Sequence, residues 1–109
     1  MPILYAAWKE LGQLTQNELL TYRQFGSPLE GHPTARLEYV EASTGSLGTG
    51  LGIGAGKALA DRLDKRENYT YVLMGDSELT EGSIWEAAEI AAHYKLSHLV
   101  GIVDCNRLG

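Results

Sequence analysis

The sequence predicts an α/β fold built on parallel strands, and three observations carry that expectation. Two short apolar runs, Tyr71-Val72-Leu73-Met74 and Leu99-Val100-Gly101-Ile102-Val103, have the length and β-branched content of buried strands. The residues between them, roughly Glu81 to Tyr94, have a helical rhythm, and a strand–helix–strand unit joins strands that run parallel. Both runs then end on polar residues, Gly75-Asp76-Ser77-Glu78 after the first and Asp104-Cys105-Asn106 after the second. Asp76 and Asn106 should therefore share the carboxyl edge of the sheet, where open parallel sheets bind their ligands.

The elements before this unit can be read in order. Ile3, Leu4, Ala7, Trp8 and Leu11 fall on one face at helical spacing, and Gly12 suits the stop. Thr15-Gln16-Asn17-Glu18 has the form of a capping box, so a second short helix should start there and reach about Gln24. Gly26-Ser27-Pro28 ends it. From there to Ser46 the chain reads as mostly irregular, and a stretch of that length inside a compact domain is usually functional or disordered.

Leu47 to about Arg66 is expected to be helical despite its glycines, because Leu51, Ala55, Ala58, Leu59, Arg62 and Leu63 keep the period. Each interior glycine costs roughly 0.5–1 kcal/mol relative to Ala, so five imply a need for close backbone approach. Packing should account for Gly52 to Gly56, and a ligand near the start of the helix for Gly45 to Gly48. The run is not a dinucleotide fingerprint, since Ile53 and Lys57 stand where the third glycine belongs. It is not a phosphate P-loop either, because Gly56-Lys57 is followed by Ala58.

Composition narrows the class. At 109 residues the chain is one domain or a piece of one. Two strands are too few for an independent doubly wound sheet with helices on both faces, so further strands are expected from elsewhere. A net charge of −5 gives no basic stripe for nucleic acid. Arg62, Lys65 and Arg66 gather near a helix end, where cations suit the dipole. No apolar run approaches the roughly twenty residues of a membrane span, and Met1-Pro2-Ile3-Leu4-Tyr5 does not read as a secretion signal. The single cysteine, Cys105, excludes an intrachain disulfide and fits a reducing, cytoplasmic compartment. It reads as a small apolar residue at a strand end.

Chemistry concentrates at the strand ends. A carboxylate and an amide oxygen meeting at Asp76 and Asn106 suit a small hard cation such as Mg²⁺, which usually carries phosphate groups because it seldom takes an all-protein cage. Gly75-Asp76 could also simply form a turn and cap the following helix.

Gly-Asp followed thirty positions later by Asn, here Asp76 and Asn106, resembles the cofactor fingerprint of thiamine-diphosphate enzymes. The surrounding words are Gly31-His32-Pro33-Thr34, Thr44-Gly45-Ser46-Leu47-Gly48-Thr49-Gly50, Glu81-Gly82-Ser83-Ile84-Trp85-Glu86-Ala87, Tyr94-Lys95-Leu96 and Asn106-Arg107-Leu108-Gly109. Together they resemble the transketolase family from about Ile3 to Gly109. The resemblance implies that residues 1–109 form part of a thiamine-diphosphate-binding domain, a parallel-sheet α/β fold only partly covered by this chain. It implies Asp76, Asn106 and the backbone carbonyl of Leu108 as ligands of Mg²⁺, with Ca²⁺ or Mn²⁺ as alternatives. Gly45, Ser46 and Leu47 match the loop that contacts the aminopyrimidine and holds the cofactor bent, and Ser77 stands beside the diphosphate. His32 matches an active-site histidine facing substrate hydroxyls. His93 and His98 receive no such role, and Trp85 and Glu86 are expected to pack and pair.

Ser77 departs from the family, which usually has glycine there. A negative φ would accommodate serine and leave its hydroxyl to donate to phosphate, and this is the expected case; a positive φ would strain it. The complete enzyme implied is a transferase moving a two-carbon ketol group between sugar phosphates, as in the pentose phosphate pathway, and working as a homodimer or heterotetramer. The glutamate that activates the aminopyrimidine belongs in the family to another domain of a partner subunit. This chain alone is therefore not expected to turn over. Two other readings stay open: a non-catalytic cofactor-binding module, and a thiamine-dependent 2-oxo-acid dehydrogenase or decarboxylase component.

Overall fold

The computed structural model describes residues 2–107, which form two compact units meeting in sequence at Gly45 and Ser46. The first is helical and irregular. Helix α1 (Pro2–Glu10) starts on a proline, which suits a first helical position, and ends before Gly12 at φ +77°. Its apolar face buries Tyr5 and Trp8 with Leu29 and Val40. The Tyr5 hydroxyl donates to the Glu30 carbonyl at 2.9 Å, which ties α1 to the irregular segment. Burial pushes that hydroxyl's pKa up, with Tyr22 and Glu30 adding to the effect.

The capping box forms as expected, with Glu18 N donating to Thr15 Oγ1 at 3.2 Å and Thr15 N to Glu18 Oε2 at 2.8 Å. The Thr15 N–H, and after it the Thr15 hydroxyl that donates to the same Oε2 at 2.7 Å, hold the Glu18 carboxyl below its ordinary range. The helix it starts is shorter than the reading to Gln24: α2 spans only Gln16–Leu19. Beyond it the chain tightens into i→i−3 bonds, Thr21 N to Glu18 O and Tyr22 N to Leu19 O, and the Thr21 hydroxyl also donates to Glu18 O at 2.7 Å. Arg23 then adopts a left-handed φ of +59°, which a continuing helix cannot accept. The segment from 26 to 45 has no helix or strand, yet it is fastened: Arg23 N donates to Leu29 O, Ala35 N to Ser43 Oγ and Thr44 N to Pro33 O.

The second unit holds the strands. Helix α3 (Thr49–Leu63) leads to β1 (Thr70–Gly75), a short 3-10 turn (Asp76–Thr80), helix α4 (Gly82–His93) and β2 (Leu99–Asp104). The strands pair in parallel, with Thr70 opposite Leu99 and Gly75 opposite Asp104. Both helices pack on one sheet face: Leu51, Met74, Ile84 and Ala87 form a buried cluster joined by Val72, Leu99 and Val103. The other face, Tyr71, Leu73 and Ile102, is apolar and exposed in this unit, so only one of the two expected helix layers is present among the described residues. Both helices end earlier than their sequence bounds because Lys65 (φ +57°) and Lys95 (φ +51°) turn left-handed just past them.

Glycine roles in α3 differ from the sequence reading. Gly52 and Gly56 face open space, while a methyl group at Gly54 would overlap the Val72 side chain. Gly54 is thus the packing glycine, and Gly52 and Gly56 have no packing reason. Gly52→Ala and Gly56→Ala should each stabilise the protein by about 0.4–1 kcal/mol, read as a higher midpoint in thermal unfolding of either variant. Asp61 is the other feature the sequence did not disclose. It is buried in α3, and its Oδ1 accepts from Arg66 Nε at 2.7 Å and Asn68 Nδ2 at 3.4 Å.

Candidate functional site

The site is built where β1 and β2 end together. Asp76 follows β1 directly and opens the 3-10 turn, and its Oδ1 accepts the Ser77 N–H at 3.0 Å. The same register brings the segment after β2 alongside. The Arg107 N–H donates to Asp76 Oδ2 at 3.2 Å, which fastens the Asn106-Arg107 peptide to the carboxylate. Arg107 takes a left-handed φ of +62°, unusual for a non-glycine residue, and this turns the chain onto Asp76. Asn106 is exposed at the same edge, and its Nδ2 donates to Asp104 Oδ2 at 3.4 Å.

The donor chemistry fits a hard cation. A carboxylate has about four lone-pair positions, and Asp76 commits one on each oxygen to a backbone N–H. The Asn106 side chain carries an amide oxygen, a donor of the kind hard cations take. Asp104 adds a further carboxylate at the same edge. The Leu108 carbonyl lies outside the described residues.

Ser77 has a negative φ, inside the 3-10 turn. The strained alternative is therefore absent at this position. Downstream, Thr80 Oγ1 donates to the Ser77 carbonyl at 2.7 Å. Trp85 does not pack as expected: it is 58 % exposed, and its indole N–H donates to Leu79 O at 2.9 Å. Glu86 is exposed and forms no ion pair among the described residues. Cys105 is exposed rather than an apolar strand-end residue.

The loop into α3 is shaped by glycine. Gly48 caps the helix at φ +83°, and a methyl there would stand 2.7 Å from Glu81 Cβ. Ser46 O accepts the Thr49 hydroxyl at 2.9 Å, and Leu47 is half exposed. In the first unit, His32 and Gly45 lie together: Gly45 has φ +144°, and a methyl on it would be 2.9 Å from His32 Cγ. Pro33 beside them is fully buried, His32 is exposed, and the Thr34 hydroxyl is buried without a hydrogen-bond partner. His32 and Gly45 thus belong to one unit, and Ser46, Leu47, Asp76, Ser77 and Asn106 to the other.

A parallel strand pair crossed over by a helix, with polar residues gathered at its carboxyl edge, places the chain in the α/β class that binds ligands at that edge. Comparison with known proteins makes the class specific. The family profile described as "Transketolase, thiamine diphosphate binding domain" matches residues 2–109, and the chain belongs to the transketolase family. It is 51% identical over 109 residues to transketolase-like protein 2 of Homo sapiens and 50% identical to Homo sapiens transketolase, in each case across 99% of this chain. Those alignments span 17% and 18% of the relatives' own lengths, so the chain covers about a sixth of them. It is also 48% identical over 105 residues to one subunit of the apulose-4-phosphate transketolase of Phocaeicola vulgatus, covering 96% of this chain and 37% of that protein.

Proposed function

We propose that this chain supplies the diphosphate-and-metal part of a thiamine diphosphate site in a transketolase that moves two-carbon ketol groups between sugar phosphates. The observation that carries it is the Arg107 N–H bound to the Asp76 carboxylate, which brings Asn106 beside Asp76 at two paired strand ends. Asp76, Asn106 and the Leu108 carbonyl would hold Mg²⁺, with Ca²⁺ or Mn²⁺ as substitutes. The cofactor, when bound, supplies a thiazolium carbon that accepts the transferred ketol group. The chain's own residues bind and orient. By the family resemblance, the Ser77 hydroxyl would donate to the diphosphate and the Ser46-Leu47 loop would meet the aminopyrimidine, while Gly45 and His32, in the first unit, match that loop's first glycine and a histidine facing sugar hydroxyls.

The aminopyrimidine-binding domain would come from the rest of the protein or a second subunit, giving a homodimer or heterotetramer in the cytoplasm. The Phocaeicola vulgatus relative, named as one subunit of its enzyme, supports a multi-chain form of the assembly. Calorimetric titration of the complete protein with thiamine diphosphate, with and without Mg²⁺, tests the site. Expected is binding that requires the metal. A product assay tests the reaction: sugar-phosphate exchange without CO₂ supports ketol transfer, whereas CO₂ release would assign the protein to 2-oxo-acid chemistry.

Ser77→Gly should leave cofactor affinity within about twofold. The backbone there already has negative φ, so glycine relieves no strain and adds only unfolded-state entropy. Clear tightening of the cofactor in that variant would contradict the conformation described above.

A further inference from the structure

Glu78 lies two residues past Asp76, and its carboxylate joins parts of the chain that are far apart in sequence. Its Oε1 accepts from Gly48 N at 3.0 Å and its Oε2 from Gly75 N at 2.9 Å. Gly48 is the N-cap of α3, and Gly75 is the last residue of β1. A third bond closes on the same loop, since the Ser83 hydroxyl in the first turn of α4 donates to Gly48 O at 3.0 Å. One side chain thus fastens the entrance of α3 to the end of the strand that carries Asp76, and α4 supports it from the other side of the Gly48 residue.

We propose that Glu78 is a positioning residue for the cofactor, fixing the separation between the Ser46–Gly48 loop and Asp76. The inference rests on the thiamine diphosphate reading above. A local cap of the 3-10 turn needs only the Gly75 bond, three residues away; the Gly48 bond spans thirty residues and does nothing for that turn. Both bonds are charge-assisted, which makes them shorter and stronger than neutral ones. Glutamate is also the side chain the geometry requires. Glutamine has one acceptor oxygen, so its NH₂ group would face one of the two N–H donors. Aspartate is a methylene shorter and reaches only one of them.

The test uses the complete transketolase carrying this segment, as wild type, Glu78→Gln, Glu78→Ala, Ser83→Ala and the Glu78→Gln/Ser83→Ala double variant. Thiamine diphosphate Kd is measured at saturating Mg²⁺, together with amide hydrogen exchange of the 46–50 peptide in the cofactor-free protein. Expected are a Kd raised about tenfold in Glu78→Gln, as one charge-assisted bond is worth ~1.5 kcal/mol, and more in Glu78→Ala. Ser83→Ala, an exposed and mild change, should raise Kd about threefold, as one neutral hydrogen bond is worth ~0.7 kcal/mol. The double variant should fall short of the product of the singles, because both side chains hold one residue. Exchange of the 46–50 peptide should quicken, and kcat should return to wild type at saturating cofactor. A wild type that binds with all variants within twofold of it overturns the positioning role alone. A lowered melting temperature with unchanged Kd does the same. A wild type that binds no thiamine diphosphate overturns the cofactor reading and this inference with it.

Discussion

Asp76→Ala should abolish Mg²⁺-dependent thiamine diphosphate binding in the complete enzyme, with Kd rising by about a hundredfold or more. Even partners that only orient a metal ligand typically cost 10–100-fold when mutated, and Asp76 is proposed as a ligand itself. It has a second task that the structure makes visible. Its Oδ2 accepts the Arg107 N–H, so truncation also releases the segment bearing Asn106. Asn106→Ala removes one neutral ligand and leaves that tether intact, and should cost less, about ten- to a hundredfold. Asp76→Asn keeps an acceptor for Arg107 but loses the charge, and should fall between the two. Calorimetry at several Mg²⁺ concentrations gives all three. Unaltered affinity in Asp76→Ala would remove the site, and an Asn106→Ala effect as large as that of Asp76→Ala would remove the tether's contribution.

The placement of Asp76 and Asn106 at one sheet edge was legible in the sequence because its logic is short-range and periodic. Apolar runs of strand length, a helix between them and polar residues at both ends dictate a parallel pair with Asp76 and Asn106 at one edge, and the register agrees. The Thr15–Glu18 capping box was legible for the same reason, since four residues contain the whole signal. What failed depended on partners remote in sequence. The Thr21 hydroxyl turning back to Glu18 O, and the left-handed Arg23 beyond it, cut α2 to four residues, and no propensity rule shows that from Thr21 alone. Glu78 received no role from the sequence, because its second partner, Gly48, lies thirty positions away. Asp61 received none either, since its burial beside Arg66 and Asn68 is set by the fold and not by helical period.

The glycines of α3 show the same limit from another side. Their cost to a helix can be read from sequence, but which of them faces the sheet depends on helix phase relative to β1. Two residues along the helix are about 200° around it, so glycines at alternate positions face opposite ways. Packing was expected to need Gly52 to Gly56 as a group, and of these only Gly54 meets the sheet.

Gly54→Ala should therefore destabilise the complete protein, by about 1–3 kcal/mol, although alanine is the better helix former by up to about 1 kcal/mol. The added methyl would overlap the Val72 side chain and stand 3.2 Å from Leu99 Cδ1 and 3.6 Å from Thr70 Cγ2. Val72 and Thr70 are β-branched, so their χ1 freedom to move aside is small. Both belong to β1, with Leu99 on the paired strand, so relief has to come from moving α3 away from the sheet. That movement pulls Gly48 away from Gly75, the two groups Glu78 holds together, so cofactor affinity should fall along with stability. Val72→Ala alone should also destabilise, by leaving a cavity. The Gly54→Ala/Val72→Ala pair should be more stable than the sum of the single costs allows, because the new methyl occupies the space the valine vacates. Urea unfolding of the four proteins measures the coupling directly. A strictly additive pair, or a Gly54→Ala variant as stable as Gly52→Ala, would show that α3 does not press on the sheet at Gly54.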